Sequence, residues 1–256
     1  MAVETTRSGS RDSEDELQTL VVLRALAASD SVNGCWGIRN ALRSEGFSVS
    51  EATAGRLLRE LDARGLTAPV GPKRSRILTD YGQARMVQLE EAKRQGQLES
   101  DLIKAMRANS LERLLDVLRV RRAIETEAAR LAALNAGDAE REALESALRN
   151  HSESAGLHES LRETHNAIHL AVAAAAKSTV TLAVLNLIFE DSRVYELQSQ
   201  VLRHAAHIAL PQEHSGIVRA VSSGQPVKAA KAMRAHLDRV IRIVEVVIGA
   251  KGWESA

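Results

Sequence analysis

His165 and His169, four residues apart, are the pair in this sequence whose spacing points most directly to chemistry. On a helix, residues four apart lie one turn above the other on a single face, so the two imidazoles form a bidentate clip for a divalent transition metal. The competing reading is a pair of histidines packed within an Ala-rich helix. The apolar run Leu170 to Ala176, with Ile168 before it, places His169 beside a strongly hydrophobic segment, where an uncompensated polar ring is costly. An inward pair there needs a proton donor or a metal. His214 and His236 also fall in apolar helical patterns. Ile217, Val218, Ala220 and Val221 follow the first, while Ala229, Ala232, Met233, Leu237 and Val240 surround the second. Periodicity alone takes their roles no further.

A second constellation is basic and lies near the front. Between residues 34 and 76 eight Lys and Arg oppose four acids, a local charge of +4 in a chain whose net charge is only +1. Thr53, Arg56 and Arg59 fall on the outer face of a predicted helix over Glu51–Arg64, with Ala54, Leu57, Leu58 and Leu61 inward. Lys73, Arg74 and Arg76 cluster on a predicted hairpin. One α-helix fits the major groove of DNA with its early residues at base edges, and hairpin cations suit phosphates or the minor groove. The bland alternative is that these charges solvate a small helical domain.

The elements that must position these groups can be read from punctuation. Leu17–Ala28 carries apolar residues on one face, a second helix runs Trp36–Ser44, and Ser50 is placed to cap the third. Leu66–Val70 and Arg76–Leu78 flank a Gly-Pro turn as the two strands of a hairpin. Three helices and a basic hairpin are the order of a winged helix-turn-helix. All four prolines lie at 69, 72, 211 and 226, so residues 73–210 are free of the residue that most disrupts helices. The expected fold is mainly α: a disordered start over 1–13, a winged helix-turn-helix over 14–82, a linker helix over 83–108, and an all-α antiparallel bundle over 109–250.

Composition narrows function further. Six aromatic residues in 256 argue against RNA modules that stack bases on aromatic platforms. One cysteine excludes a disulfide framework and a Cys-rich zinc site. The polar opening has no apolar core of a secretory leader, and no run reaches the roughly 18 apolar residues of a spanning helix. A protein of the cytoplasm with no membrane partner is expected.

Two resemblances sharpen these readings. Leu20 to Tyr81, with Gly37-Ile38-Arg39, Leu57-Leu58-Arg59-Glu60-Leu61 and Arg64-Gly65-Leu66, resembles winged-helix regulators, closer to the NrpR type than to the usual GntR type. The body resembles the FadR-type C-terminal ligand-binding domain (FCD) of the GntR superfamily. Leu115 to Glu125 followed by Ala128-Ala129-Arg130-Leu131-Ala132-Ala133 is similar to that family's opening helix. His165-Asn166-Ala167-Ile168-His169 stands where the family has D-x-x-F-H, Glu213-His214-Ser215-Gly216-Ile217 matches E-H-x-x-I, and Ala229 to His236 matches A-x-x-x-M-x-x-H. The resemblance implies that His165, His169, His214 and His236 hold one metal ion inside the bundle. It also implies that Arg121 assists a small carboxylate effector, with Arg119 and Arg122 as competitors for that role.

One departure bears on the chemistry. His165 replaces the family's Asp, so the implied ligand set is four imidazoles without a carboxylate. Neutral ligands leave the ion's double charge undiminished and favour Zn, Ni or Cu over Mn or Ca, with Zn or Ni the leading choice. The same replacement is also consistent with His165 standing outside a degraded site. The leading expectation is a non-enzymatic transcriptional regulator binding double-stranded operator DNA as a homodimer, with a metal-dependent carboxylate sensor. The alternatives are a mononuclear metal-dependent helical-bundle enzyme and a DNA-binding protein whose body only dimerises. Against an enzyme, no histidine follows a Glu by three residues and no H-E-x-x-H occurs. Glu163 and Glu213 lie near ligand candidates in sequence but are expected to face elsewhere.

Overall fold

The computed structural model describes residues 5–28, 34–70, 75–107, 109–153, 160–190, 192–204 and 210–250. It divides into two compact units, Met1–Ser100 and Asp101–Ala256. The first contains α1 (Thr5–Ala28), α2 (Cys35–Ser44), α3 (Glu51–Ala63), β1 (Thr67–Val70), β2 (Ser75–Leu78) and most of α4 (Asp80–Met106). The second contains α5 (Leu111–Asn135), α6 (Asp138–Glu153), α7 (Ser160–Ala175), α8 (Thr179–Glu190), α9 (Ser192–His204), α10 (Leu210–Ser222) and α11 (Pro226–Gly249).

In the first unit local chemistry sets each boundary. The Ser50 hydroxyl accepts from the Thr53 amide at 3.1 Å, which caps α3, and Gly65 at φ +71° lets the chain leave it. The Leu66 amide then bonds back to Leu61 O at 3.0 Å. Leu66 therefore closes the helix, and the strand begins at Thr67 rather than at Leu66 as expected. The strands pair antiparallel, Thr67 opposite Leu78 and Val70 opposite Ser75. Leu20, Leu23, Ile38, Leu42, Ala54, Leu58, Leu61 and Leu66 form the shared core. Truncating one such leucine to Ala costs about 2–5 kcal/mol.

Two further features of this unit deserve their physical reasons. Helix α1 begins at Thr5, which corrects the expectation of a disordered 1–13 from residue 5 onward; once the apolar face from Leu20 to Leu26 is docked, each added helical residue propagates a helix already nucleated. At the start of α4, a Cβ on Gly82 would lie 1.9 Å from the Leu66 carbonyl oxygen. Only glycine allows the helix to approach the turn between α3 and β1 that closely, and the Thr79 hydroxyl seals the junction by donating to Gly65 O at 2.7 Å.

The second unit is built on α5 against α11. The pairs Arg122–Asp238 at 2.8 Å and Arg119–Glu245 at 3.3 Å run in opposite chain directions, so the two helices are antiparallel. Small residues on α5 (Ala128, Ala129, Ala132, Ala133) meet Val172 and Ala175 of α7, Ile217 and Val221 of α10, and Met233 and Leu237 of α11. A second apolar cluster joins Leu114 and Leu118 of α5 to Leu185, Ile188 and Phe189 of α8, Val194 and Val201 of α9, and Val240 and Val244 of α11. Several buried polar groups lie where α5, α7, α10 and α11 meet.

Candidate metal centre

Each histidine reaches the interior because its helix buries that face. On α7, His165 and His169 share the buried stripe with Ile168 and Val172. His214 stands near the start of α10, on the side of Ile217, Val218 and Val221. His236 lies mid-way along α11 between Met233 and Val240, both fully buried. Their exposures are 8% for His165, 1% for His169, 0% for His214 and 1% for His236.

The four rings converge. One nitrogen from each lies within 4.8 Å of all the others, and ring centroids are as close as 4.6 Å for His214 and His236. The Nε2 atoms of His165, His169 and His236, and both nitrogens of His214, are buried without a hydrogen-bond partner. Buried polar atoms are ordinarily paired, so several orphaned imidazole nitrogens in one place call for a guest. Loss of solvent disfavours the charged form of His165, His169 and His214. It lowers His165 well below its ordinary value, helped by the neighbouring imidazoles, and lowers His214 strongly. It lowers His169 to about 4, although Glu125 pulls the other way. Neutral imidazoles with unengaged lone pairs are metal ligands, and a divalent transition ion satisfies them together. The donor set therefore fits the metal that the sequence implied.

Around this tetrad stands a ring of polar groups. The Glu125 carboxylate accepts from His169 Nδ1 on one oxygen and from Arg121 Nε at 2.7 Å on the other. Burial alone would raise the Glu125 carboxyl, but Arg121 and then His169 outweigh it and hold it at about 2. Arg121 Nη1 donates to Gln198 Oε1 at 3.2 Å, its guanidinium lies 4.6 Å from the Phe189 ring centre, and its Nη2 is buried without a partner. Glu213 accepts from His236 Nδ1 at 3.0 Å and from Arg239 at 2.6 Å.

This arrangement distinguishes the three arginines by burial and corrects one expectation. Of the three competing arginines only Arg121 enters the interior, because Arg119 pairs with Glu245 and Arg122 with Asp238 at the edge of the α5–α11 interface. Glu213 was expected to face away from the site, yet its carboxylate bridges to His236 on a different helix. Neighbours along one helix diverge, but a partner helix can meet either of them. Glu163 has no described side chain.

His151, Glu125 and Gln198 carried no expected role at this site. His151, at the end of α6, is 5% exposed; its ring lies 5.0 Å from His214, edge-on, and 5.9 Å from His165. A signal for it existed, since His151 and Leu144, seven residues apart, are the two buried residues of α6. Glu125 also had one. Leu114, Leu118, Arg121, Glu125, Ala128 and Ala132 form a single α5 stripe, so an ion pair sits where an apolar face continues on both sides.

The front unit places the DNA-contact candidates unevenly. Arg56 and Arg59 are exposed on α3. Thr53 is half-buried, with its hydroxyl 2.9 Å from that of Ser50. Arg76 is committed to Asp62 at 3.0 Å and is 14% exposed in its side chain. Lys73 and Arg74 lie outside the described residues.

Residues 116–239 match the FCD domain family. Over those residues the helical body is similar to FCD domains. This agrees with the FadR-type resemblance of the body; the match includes no residue of the front unit, whose NrpR-like resemblance rests on its own motifs. The FCD match contains all four tetrad histidines, Arg121, Glu125 and His151. The chain matches none of the curated proteins. Among solved structures it is similar to a GntR-family transcriptional regulator from Pseudomonas syringae pv. tomato, at 16% identity over 94% of this chain and 97% of that one, with a TM-score of 0.47. It is also similar to a Streptococcus agalactiae GntR protein, at 16% identity over 82% and 87% with a TM-score of 0.45. A third is E. coli McbR/YncC, at 13% identity over 90% and 98% with a TM-score of 0.42. Among the described residues no helix is long and apolar enough to cross a membrane.

Proposed function

We propose that this protein is a ligand-responsive transcriptional regulator of the GntR type, in which a metal-bearing FCD domain senses a small carboxylate and governs operator binding by the front unit. The observation that carries the reading is the convergence of four buried imidazoles from three helices in one place within that domain. His165, His169, His214 and His236 would hold a divalent transition ion, Zn or Ni by the chemistry of the donors. Such an ion, when bound, supplies a Lewis-acidic positive centre that attracts an anion. Arg121 supports a carboxylate effector because its Nη2 is a buried donor without an acceptor.

On this reading the protein's work is regulation rather than catalysis. An effector acts through its differential affinity for two states of the body, and a homodimer in the cytoplasm presents two front units to a palindromic operator. The α3 helix lies in the major groove, where Arg56 and Arg59 meet base edges or phosphates and Thr53 flanks them. Lys73, Arg74 and Arg76 of the hairpin contact the backbone or minor groove. Arg76 does so while tied to Asp62, which makes it the weakest member of that set.

Two measurements test the proposal. Elemental analysis of gently purified protein is expected to find stoichiometric Zn or Ni, lost in His169→Ala; wild-type protein without metal refutes the sensor. A duplex selected from a random pool should bind with an affinity that falls steeply with salt, because each neutralised phosphate releases counterions. A flat salt response refutes operator binding.

A further inference from the structure

Glu125 is the only acidic side chain that is fully buried among the described residues. A buried carboxylate is expensive unless every oxygen is engaged, and here both are. One oxygen takes the Arg121 Nε–H at 2.7 Å, from one helical turn earlier on α5. The other takes the ring Nδ1 of His169, across the gap to α7. Arg121 is itself fixed, through Gln198 on α9 and by its position over Phe189 on α8. Four helices therefore determine where this carboxylate points.

The contact has a consequence for the imidazole. A carboxylate accepts, so the ring nitrogen facing it carries the proton and the lone pair resides on the other nitrogen. That other nitrogen, His169 Nε2, belongs to the tetrad and has no partner. His236 has an analogous acceptor in Glu213, but that carboxylate is 16% exposed and shared with Arg239. His214 has no partner on either nitrogen. The four ligands are thus unequally prepared, and His169 is the one set by a dry ion pair.

We infer that Glu125 is a positioning residue for the metal site: held by Arg121, it fixes His169 in the Nδ1–H form and so presents Nε2 to the ion. This rests on the metal-binding reading above. It gives Arg121 a second task besides the effector, with Nε and Nη1 spent on the relay and Nη2 alone free. It also brings one carboxylate to the implied four-imidazole site, hydrogen-bonded to a histidine that would hold the ion. Outer groups of this kind raise ligand basicity, and their loss typically weakens metal affinity by about 10–100-fold.

The test uses the full-length protein stripped by a chelator. Zn(II) affinity is measured by competition with a chromophoric chelator for wild type and Glu125→Gln, an isostere that keeps an accepting oxygen and loses the charge. The expected result is Zn(II) binding about 10–100-fold weaker in the variant, with helix content retained by circular dichroism. Nitrogen-15 NMR of metal-free wild type reads the His169 tautomer directly and needs no variant to fold. An Nδ1–H ring supports the assignment. An Nε2–H ring, or equal Zn(II) affinity in a folded Glu125→Gln, overturns it. Wild type that takes up no Zn(II) defeats the metal reading separately, and the tautomer still decides the role of Glu125.

Discussion

Acid should destabilise the metal-free protein, and the size of the effect follows from the burial of the imidazoles. His169 titrates near 4 when folded, against an ordinary value of 6.5. The unfolded chain therefore takes up this proton first. Stability is complete above about pH 6.5 and is lost as pH falls toward 4. Between pH 7.5 and 5.0 the difference in protonation is worth about 2 kcal/mol for His169 alone. His165 and His214 are displaced in the same direction, so they add to the loss. For a protein of this size, about 2 kcal/mol corresponds to a fall in Tm of roughly 4–8 °C. The assay is thermal unfolding of chelator-treated protein across that pH range, with His169→Gln as control. The variant cannot take up this proton, so its dependence on pH should be shallower by that share. Saturating Zn(II) should oppose the loss, since a ligand at 100 times its Kd stabilises the folded state by about 2.7 kcal/mol. A metal-free Tm that stays constant from pH 7.5 to 5.0 would show that these rings are solvated, and the reasoning from burial would fail.

Two predictions concern the front unit. Arg56→Ala and Arg59→Ala should each weaken binding to a selected duplex by about 1–3 kcal/mol or, where the contact is to phosphate, reduce the salt slope by about one; fluorescence anisotropy at several salt concentrations reads both, and unchanged binding removes α3 from the DNA face. Gly82→Ala should destabilise the unit by at least about 1–3 kcal/mol in urea unfolding, because its new methyl meets the Leu66 carbonyl at 1.9 Å. Wild-type stability in that variant would mean that α4 shifts freely away from the α3–β1 turn.

Much of the architecture was legible because its signals are local. The Ser50 cap, the glycine that ends α3, the hairpin turn and the apolar stripes of α7 and α11 each act over a turn or two of chain. Even so, the strand start slipped by a residue where Leu66 was needed to close a helix, and α1 ran further forward than its apolar face. The i,i+4 spacing of His165 and His169 put two imidazoles on one face, and the family resemblance suggested their two distant partners.

Local pattern was enough for the order of elements in the front unit, the helical character of the body, the apolar faces around its histidines and the residue types available to hold a cation. Packing alone settled that α7, α10 and α11 bring one nitrogen from each ring within 4.8 Å of the others, that Arg121 rather than Arg119 or Arg122 enters the interior, and that His151 stands against His214. It also decided that Glu125 faces His169 across two helices. The reason is one of range. Helical periodicity says which side of a helix leaves water, whereas the partner of a buried polar group depends on how helices distant in sequence are rotated and packed against each other.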